Sequence, residues 1–348
     1  MAATTYKCPS CGAYLGFDPE TQGWKCDFCG SLFNESDVLP KEEKTQDTAD
    51  NSQTAEKAQQ VVYRCQSCGS EIMTDETTVA THCYYCHSPV VLQGKLTSDM
   101  RPDSVLPFTV DKAKAVDTFM QWVRSKKFVP KSFFLQSQVE NMSGVYYPHF
   151  VADCEVEGVL EGEGRNTQVL NSPNYITTKT DHYRVRRKAN ISFTSILRPA
   201  LSKTNRKLSD AIHPFPLENE KPFSDAYLTG FLAERRDIDA GSIKSGVEAE
   251  VAEYVKPLLS DTVHYESQTL QAGCSTAKFK TRYVLLPTWV LTYPNKQNKD
   301  DPYYYAMNGC TGETCGKLPI DRKKLYLTAL AIGGAIFAAG CILCYLLF

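Results

Sequence analysis

The sequence predicts an α+β protein: two small four-cysteine β ribbons, a mixed α/β middle domain with two β-rich halves, and one C-terminal transmembrane helix. Three observations predict it. Cysteine pairs repeat at a fixed offset near the N-terminus, helical and strand-like periodicities alternate between residues 105 and 320, and the last 24 residues carry no charge.

The 348 residues leave room for two or three compact units, and 42% hydrophobic with 22% charged residues is ordinary for a folded chain. A formal charge of −2 provides no overall attraction to polyanions. Nucleic-acid binding would therefore need a local basic patch.

Eight of the fourteen cysteines form four N-terminal C-x-x-C pairs. No apolar core of a signal peptide is present in residues 1 to 30, so the expected compartment is the reducing cytosol, where such pairs serve as metal ligands. A shift of 57 residues places Cys8, Cys11, Cys26 and Cys29 on Cys65, Cys68, Cys83 and Cys86, with fourteen residues between the pairs in both copies. Ribbons are therefore expected at residues 6–33 and 61–92. Residues 34–60 between them are polar and read as a flexible linker, because they offer too little apolar surface to offset ordering entropy.

From residue 105 the pattern changes. DKAKAVDTFMQWVRSKKF puts Ala115, Phe119, Trp122 and Val123 on one face of a helix that Asp111 can cap. GSIKSGVEAEVAEYVKPLL, from residue 241 to 259, reads as a second helix. GVYYPHFVAD from 144 and YVLLPTWVLT from 283 are strand-like, and each has a proline followed two residues later by an aromatic. This echo suggests two related β-rich halves within residues 105–320. YYYAMNGCTGETCGKLP predicts a hairpin turning at Asn308-Gly309, a dipeptide that accepts the positive φ angles of tight turns.

The uncharged run 325–348 would extend ~36 Å as a helix, longer than the ~30 Å hydrocarbon core of a bilayer. Arg322, Lys323 and Lys324 precede it, and such residues stay preferentially on the cytoplasmic side. The expectation is a tail-anchored, single-pass protein of the cell membrane with residues 1–321 in the cytosol. Ala329 with Gly333, and Gly334 with Ala338, have the small-xxx-small spacing that lets helices approach closely.

Two C-x-x-C knuckles deliver four thiolates in a tetrahedron without any further fold, which is the coordination Zn2+ prefers. One ion is expected per ribbon, two in all. Iron in a rubredoxin-like site uses the same ligands, whereas a thioredoxin-like redox pair lacks its βαβ surroundings. Closed four-thiolate sites leave no open position for water, so their role is structural. His82 and His87 flank the last pair, but four cysteines already complete that set.

Ribbons that bind nucleic acid need clustered Lys and Arg. Residues 6–33 hold Lys7 and Lys25 against Asp18, Glu20 and Asp27, and residues 62–92 hold Arg64 against Glu71, Asp75 and Glu76. A protein partner is the better expectation. The basic tract 182–188 (HYRVRRK) reads as a solvated strand face or a contact for anionic lipid.

No H-E-x-x-H, G-x-S-x-G or Walker A signature occurs, and GETCGKL at 312–318 has the wrong spacing for the last. No enzyme is expected, although His149, Asp153 and His264 are the residues to inspect for an unrecognised activity. Cys310 with Cys315, and Cys341 with Cys344, read as ordinary thiols and membrane-helix packing residues.

Together the paired ribbons, the LPTWVLTY run, the YAMNGCTGETCGKLP segment and the final apolar run resemble a bacterial family of TFIIB-type zinc-ribbon membrane proteins. Members of that family often carry the label of the primosomal replication-restart helicase, whose nucleotide-binding loop this chain lacks. The resemblance implies a membrane-bound adaptor for stomatin-, prohibitin- or flotillin-like partners in membrane stress or scaffold recruitment. A membrane-associated nucleic-acid or transcription-related protein is the alternative.

Overall fold

The computed structural model describes residues 3–4, 6–38, 61–64, 71–83, 89–92, 100–130, 142–204, 206–293 and 303–347. The first cysteine region forms β1 (Ala3–Thr4), β2 (Leu15–Asp18), β3 (Gly23–Cys26), β4 (Leu32–Phe33) and the short helix α1 (Glu35–Val38). The second forms β5 (Val61–Arg64), β6 (Glu71–Thr74), β7 (Thr78–His82) and β8 (Pro89–Leu92). The body follows with β9 (Ser104–Val105), α2 (Lys112–Arg124), β10 (Ser143–Ser172), β11 (Tyr175–Pro199), α3 (Arg206–Asp210), β12 (Lys221–Pro222) and β13 (Leu232–Glu234). Helix α4 (Ala240–Ser260), β14 (Ser267–Tyr293), β15 (Tyr303–Asn308), β16 (Thr314–Lys317) and α5 (Arg322–Leu347) complete the chain's described elements.

Capping aspartates open both long body helices. Asp111 Oδ1 accepts a hydrogen bond from Lys114 N at 2.7 Å, and Asp239 Oδ2 accepts one from Gly241 N at 2.9 Å. In α2 the residues Ala115, Phe119 and Val123 recur every fourth position and are buried; in α4, Val247, Val251, Val255 and Leu259 do the same.

The fold is sheet-rich α+β. Among the described residues, eleven strands join one sheet in the order β1-β8-β7-β13-β10-β14-β15-β16, with β11 also on β10, the short β9 on β14 and β12 on β9. The two echoing proline segments lie side by side at its centre, Tyr146 opposite Pro287 and Pro148 opposite Leu285 in antiparallel register. One continuous sheet thus takes up both β-rich segments.

Strands β10, β11 and β14 are 30, 25 and 27 residues long. At ~3.3 Å per residue such strands reach up to about 100 Å, well beyond ordinary length. Their distal parts form an arm. Helix α4 lies on one face of it, with Val251, Val255 and Leu259 against Val156, Leu160 and Val185. Gly158 permits this close approach, because a Cβ there would come within 2.8 Å of Val255 Cγ1, and Gly164 likewise makes room for the Tyr265 ring. Pairing with β14 stops at Arg165 opposite Ser267, and β10 and β11 continue alone to the turn between Ser172 and Tyr175.

At the other end of the sheet, Phe108 stacks on Phe231 with centroids 4.2 Å apart, and Tyr146 and Trp289 close around the pair. Asn308 departs from its expected role. It is fully buried, donating from Nδ2 to Ile212 O and Pro214 O while its Oδ1 accepts from Cys310 N and Thr311 N. The β15–β16 hairpin forms, but its positive-φ residue is Gly312, at +79°, so Asn308-Gly309 organises the loop's interior and not its left-handed corner.

Helix α5 is long and apolar enough to cross a membrane. Its large side chains Leu330, Ile332, Ile336 and Phe337 are all exposed, so the body does not bury it as it would a core helix. Gly333 and Gly334 have open space at their Cβ positions.

Candidate metal centre

Cys8, Cys11, Cys26 and Cys29 are brought together by two turns of the same shape. Gly12 N donates to Cys8 O at 2.8 Å and Gly30 N donates to Cys26 O at 2.8 Å, closing one knuckle after each C-x-x-C pair. Gly12 and Gly30 have φ of +76° and +72°, a backbone conformation that a side chain would strain. The pairing of β2 with β3, Leu15 opposite Cys26, then sets one knuckle against the other.

All four Sγ atoms lie within 4.8 Å of one another, with Cys8 to Cys29 at 3.6 Å and Cys11 to Cys26 at 3.5 Å. A tetrahedral site with metal–sulfur bonds of ~2.3 Å has sulfur edges of about 3.8 Å, so the quartet fits a metal ion. Cys8 and Cys26 are buried, while Cys11 and Cys29 face solvent. Ser31 Oγ lies 3.2 Å from Cys29 Sγ, and hydrogen bonding with Ser31 lowers that thiol to about 6. Against a backbone hydrogen bond from Ala13 that lowers it, Cys11 is pushed up to about 12 by desolvation and the neighbouring thiols, so the proton load of the quartet falls unevenly on its members.

The quartet is fixed to the body by aromatic packing. Trp24 is fully buried, its Nε1 donating to Ala226 O at 2.9 Å. Phe17, Trp24 and Tyr227 form a triangle with centroids 5.3 to 5.4 Å apart, and Phe17 N donates to Thr229 O at 3.0 Å. Gln22 Nε2 reaches Phe108 O at 2.8 Å. The sequence signal for this docking was a tryptophan between two cysteine pairs that need none; its partners, 200 residues away, left no local trace.

In the second copy, Cys65, Cys68, Cys86 and His87 lie outside the described residues, as does most of the linker. Cys83 follows β7 and is fully buried. Its strand is part of the main sheet, Ala80 pairing with both Val91 and Ala233. Arg235 Nη2 meets Glu76 Oε1 at 2.8 Å and Lys203 Nζ meets Asp75 Oδ2 at 3.9 Å across the same seam.

The residues inspected for catalysis do not converge. His149 is buried, its Nε2 2.8 Å from Ser209 Oγ and its Nδ1 3.2 Å from Tyr147 O, and burial lowers it to about 4, with nearby His213 acting in the same direction. Asp153 accepts from Ser195 N at 2.8 Å and from Arg282 at 3.2 Å, whereas His264 is exposed. Burial pushes Cys310 up to about 12 and Cys315 up to about 11, keeping both as thiols.

The basic tract lies along the arm's uncovered face, opposite a row of glutamates. Arg186 pairs with Glu161 at 2.9 Å, Lys188 pairs with Glu157, and from the other side Lys278 pairs with Glu155 at 2.9 Å. This is a solvated, charge-balanced strand face. Beyond it, residues 166–178 hold no charge, and Val169, Leu170, Tyr175 and Ile176 are all more than half exposed. No local sequence signal marks this tip, because four apolar residues among uncharged polar ones are what an ordinary strand also carries.

The chain is therefore a sheet-rich α+β protein with a four-cysteine group that can hold a metal ion and one helix able to cross a membrane. It is similar to the uncharacterized protein YdjG of Bacillus subtilis (strain 168), with 29% identity over 337 residues that cover 96% of each chain. No protein-family profile matches the chain, and no solved structure does.

Proposed function

We propose that this protein is a membrane-anchored zinc-ribbon adaptor that holds protein partners at the cytoplasmic face. The observation that carries the reading is the combination of an entirely uncovered apolar helix with an arm whose tip is charge-free and apolar. Such a tip is suited to a hydrophobic groove on a protein and poorly suited to phosphates, which require unpaired cations. In this reading Cys8, Cys11, Cys26 and Cys29 hold one Zn2+, and Cys65, Cys68, Cys83 and Cys86 hold a second. The metals are structural: they supply folding energy to segments too small for a core of their own.

The full-length resemblance to TFIIB-type zinc-ribbon membrane proteins makes a stomatin-, prohibitin- or flotillin-like protein the expected partner. The test is affinity purification of the tagged full-length protein from gently solubilised membranes, beside Val169→Ser/Ile176→Ser. A partner of that class enriched with the wild type and depleted with the tip variant supports the adaptor. Equal recovery of the partner with both forms removes the arm from the account; salt-sensitive retention of DNA by the wild type would favour the nucleic-acid alternative.

A further inference from the structure

The root of α5 carries a second feature. The turn after α2 and the segment after β16 flank an open groove of about 590 Å³ lined by Trp122, Lys126, Lys127, Phe128, Leu318 and Ile320, among others. Asp321 N donates to Phe128 O at 2.7 Å, and Lys324 Nζ donates to Val129 O at 3.1 Å, so the α5 root is tied to the α2 turn. Asp321 Oδ1 also accepts from the backbone N–H groups of Lys323 and Lys324, at 3.1 and 3.2 Å, capping the helix. The groove is thus part of the rigid base from which the apolar helix leaves.

Basic residues predominate here. Lys126 and Lys127 line the groove, and Arg124, Arg322 and Lys323 lie within three residues of its lining in sequence. The one acid beside them is the capping Asp321, and among the described residues none of these five cations forms an ion pair. Lys126 Nζ instead sits 5.3 Å from the centre of the Trp122 ring. Trp122 is half-buried and braced by Tyr305, with centroids 5.2 Å apart, while Ile320 is 63% exposed. Unpaired cations beside an apolar groove, at the foot of a helix that enters lipid, match a molecule with an anionic head and an apolar tail.

We propose that this groove binds an anionic phospholipid, with its phosphate on Lys126 and Lys127, flanked by Arg322 and Lys323, and its glycerol and upper acyl chains against Trp122, Phe128 and Ile320. The proposal rests on the reading that α5 spans a bilayer. It adds to that reading a lipid preference located at the root of the helix.

The test reconstitutes full-length protein into phosphatidylcholine bilayers containing phosphatidylglycerol, with bromine on the acyl chains of one lipid or the other. Trp24 and Trp289 are buried, so Trp122 is the tryptophan that lipid can quench, and Trp122→Phe identifies its share. Brominated phosphatidylglycerol should quench Trp122 more than its bulk fraction predicts. Lys126→Gln/Lys127→Gln should reduce that excess by about fivefold per lysine, whereas Lys244→Gln/Lys256→Gln on α4 should leave it unchanged.

Equal quenching by both lipids, in protein that resists alkaline carbonate extraction, overturns the lipid site and leaves the anchor standing. No quenching, with release in carbonate, overturns both. Relief of quenching by soluble glycerol phosphate would mean that the site takes a free phosphate ester, and would overturn the lipid assignment.

Discussion

In the first cysteine copy, β3 lies between β2 and β4 in a small sheet of its own, and the side chain between its knuckles is Trp24, sealed against Tyr227. In the second copy the matching strand, β7, is shared with the body: it pairs with β8 on one side and β13 on the other, and Thr81 stands where the first copy has Trp24. The first copy is held by packed rings, the second by a backbone ladder and ion pairs at its rim. Cysteine spacing therefore sets how a ribbon can grip a metal, and the residues between the pairs set how it docks. The copies also meet, as β1 adds Ala3 and Thr4 to β8 opposite Leu92 and Val91.

That contrast is broken most forcefully at Trp24. Trp24→Ala removes a fully buried ring and leaves Ala226 O without its donor, and should cost about 3 to 5 kcal/mol. Thr81→Ala, at the equivalent position, should cost no more than about 1 kcal/mol, the scale of a strand propensity difference. Denaturant unfolding of the full-length protein in detergent measures both; equal costs would show that the two copies dock by the same means.

Acid separates the body from the ribbons. His149 has a folded value of about 4 against an ordinary 6.5, so below 6.5 the unfolded chain binds the proton that the folded one refuses. Its contribution is present in full above 6.5 and is lost as pH falls towards 4. Between pH 7 and pH 5 this amounts to about 2 kcal/mol. Protonation of the cysteine thiolates, if they hold the proposed metal, acts in the same direction, so the diagnostic is the difference: His149→Gln should lose less stability over that interval than the wild type. Identical pH profiles would show that the buried imidazole is not an acid-sensitive element.

A smaller effect sharpens the comparison at the knuckle. Gly30 has φ of +72°, and the second copy carries His87 at the matching position. Gly30→Ala should cost about 1 to 2 kcal/mol through left-handed backbone strain, with metal retained. Loss of metal from this variant would mean that the second knuckle tolerates less distortion than the φ angle alone suggests.

Much of this was legible locally. The quartet, the capping aspartate at 111 and the apolar helix each depend on residues close together in sequence, and each is where the pattern placed it; the cap at Asp239 is seen only in the structure. The rest depends on distant partners. Nothing near Pro148 announces Leu285, and nothing near Trp24 announces Tyr227. The length of the arm has no local signal either, since glycine weakens a strand, yet Gly158 and Gly164 make room for α4 and Tyr265. Asn308-Gly309 misled because Asn308 is spent on holding Ile212 and Pro214, a role that only the tertiary structure reveals.

The central claim is that thiolate quartets fold around metal while α5 anchors the chain, and metal stoichiometry tests its chemical half most directly. Elemental analysis of purified full-length protein should find two zinc ions per chain, and one in Cys8→Ser/Cys11→Ser/Cys26→Ser/Cys29→Ser. A wild-type protein with neither zinc nor iron, or a variant that keeps the full complement, would contradict the account.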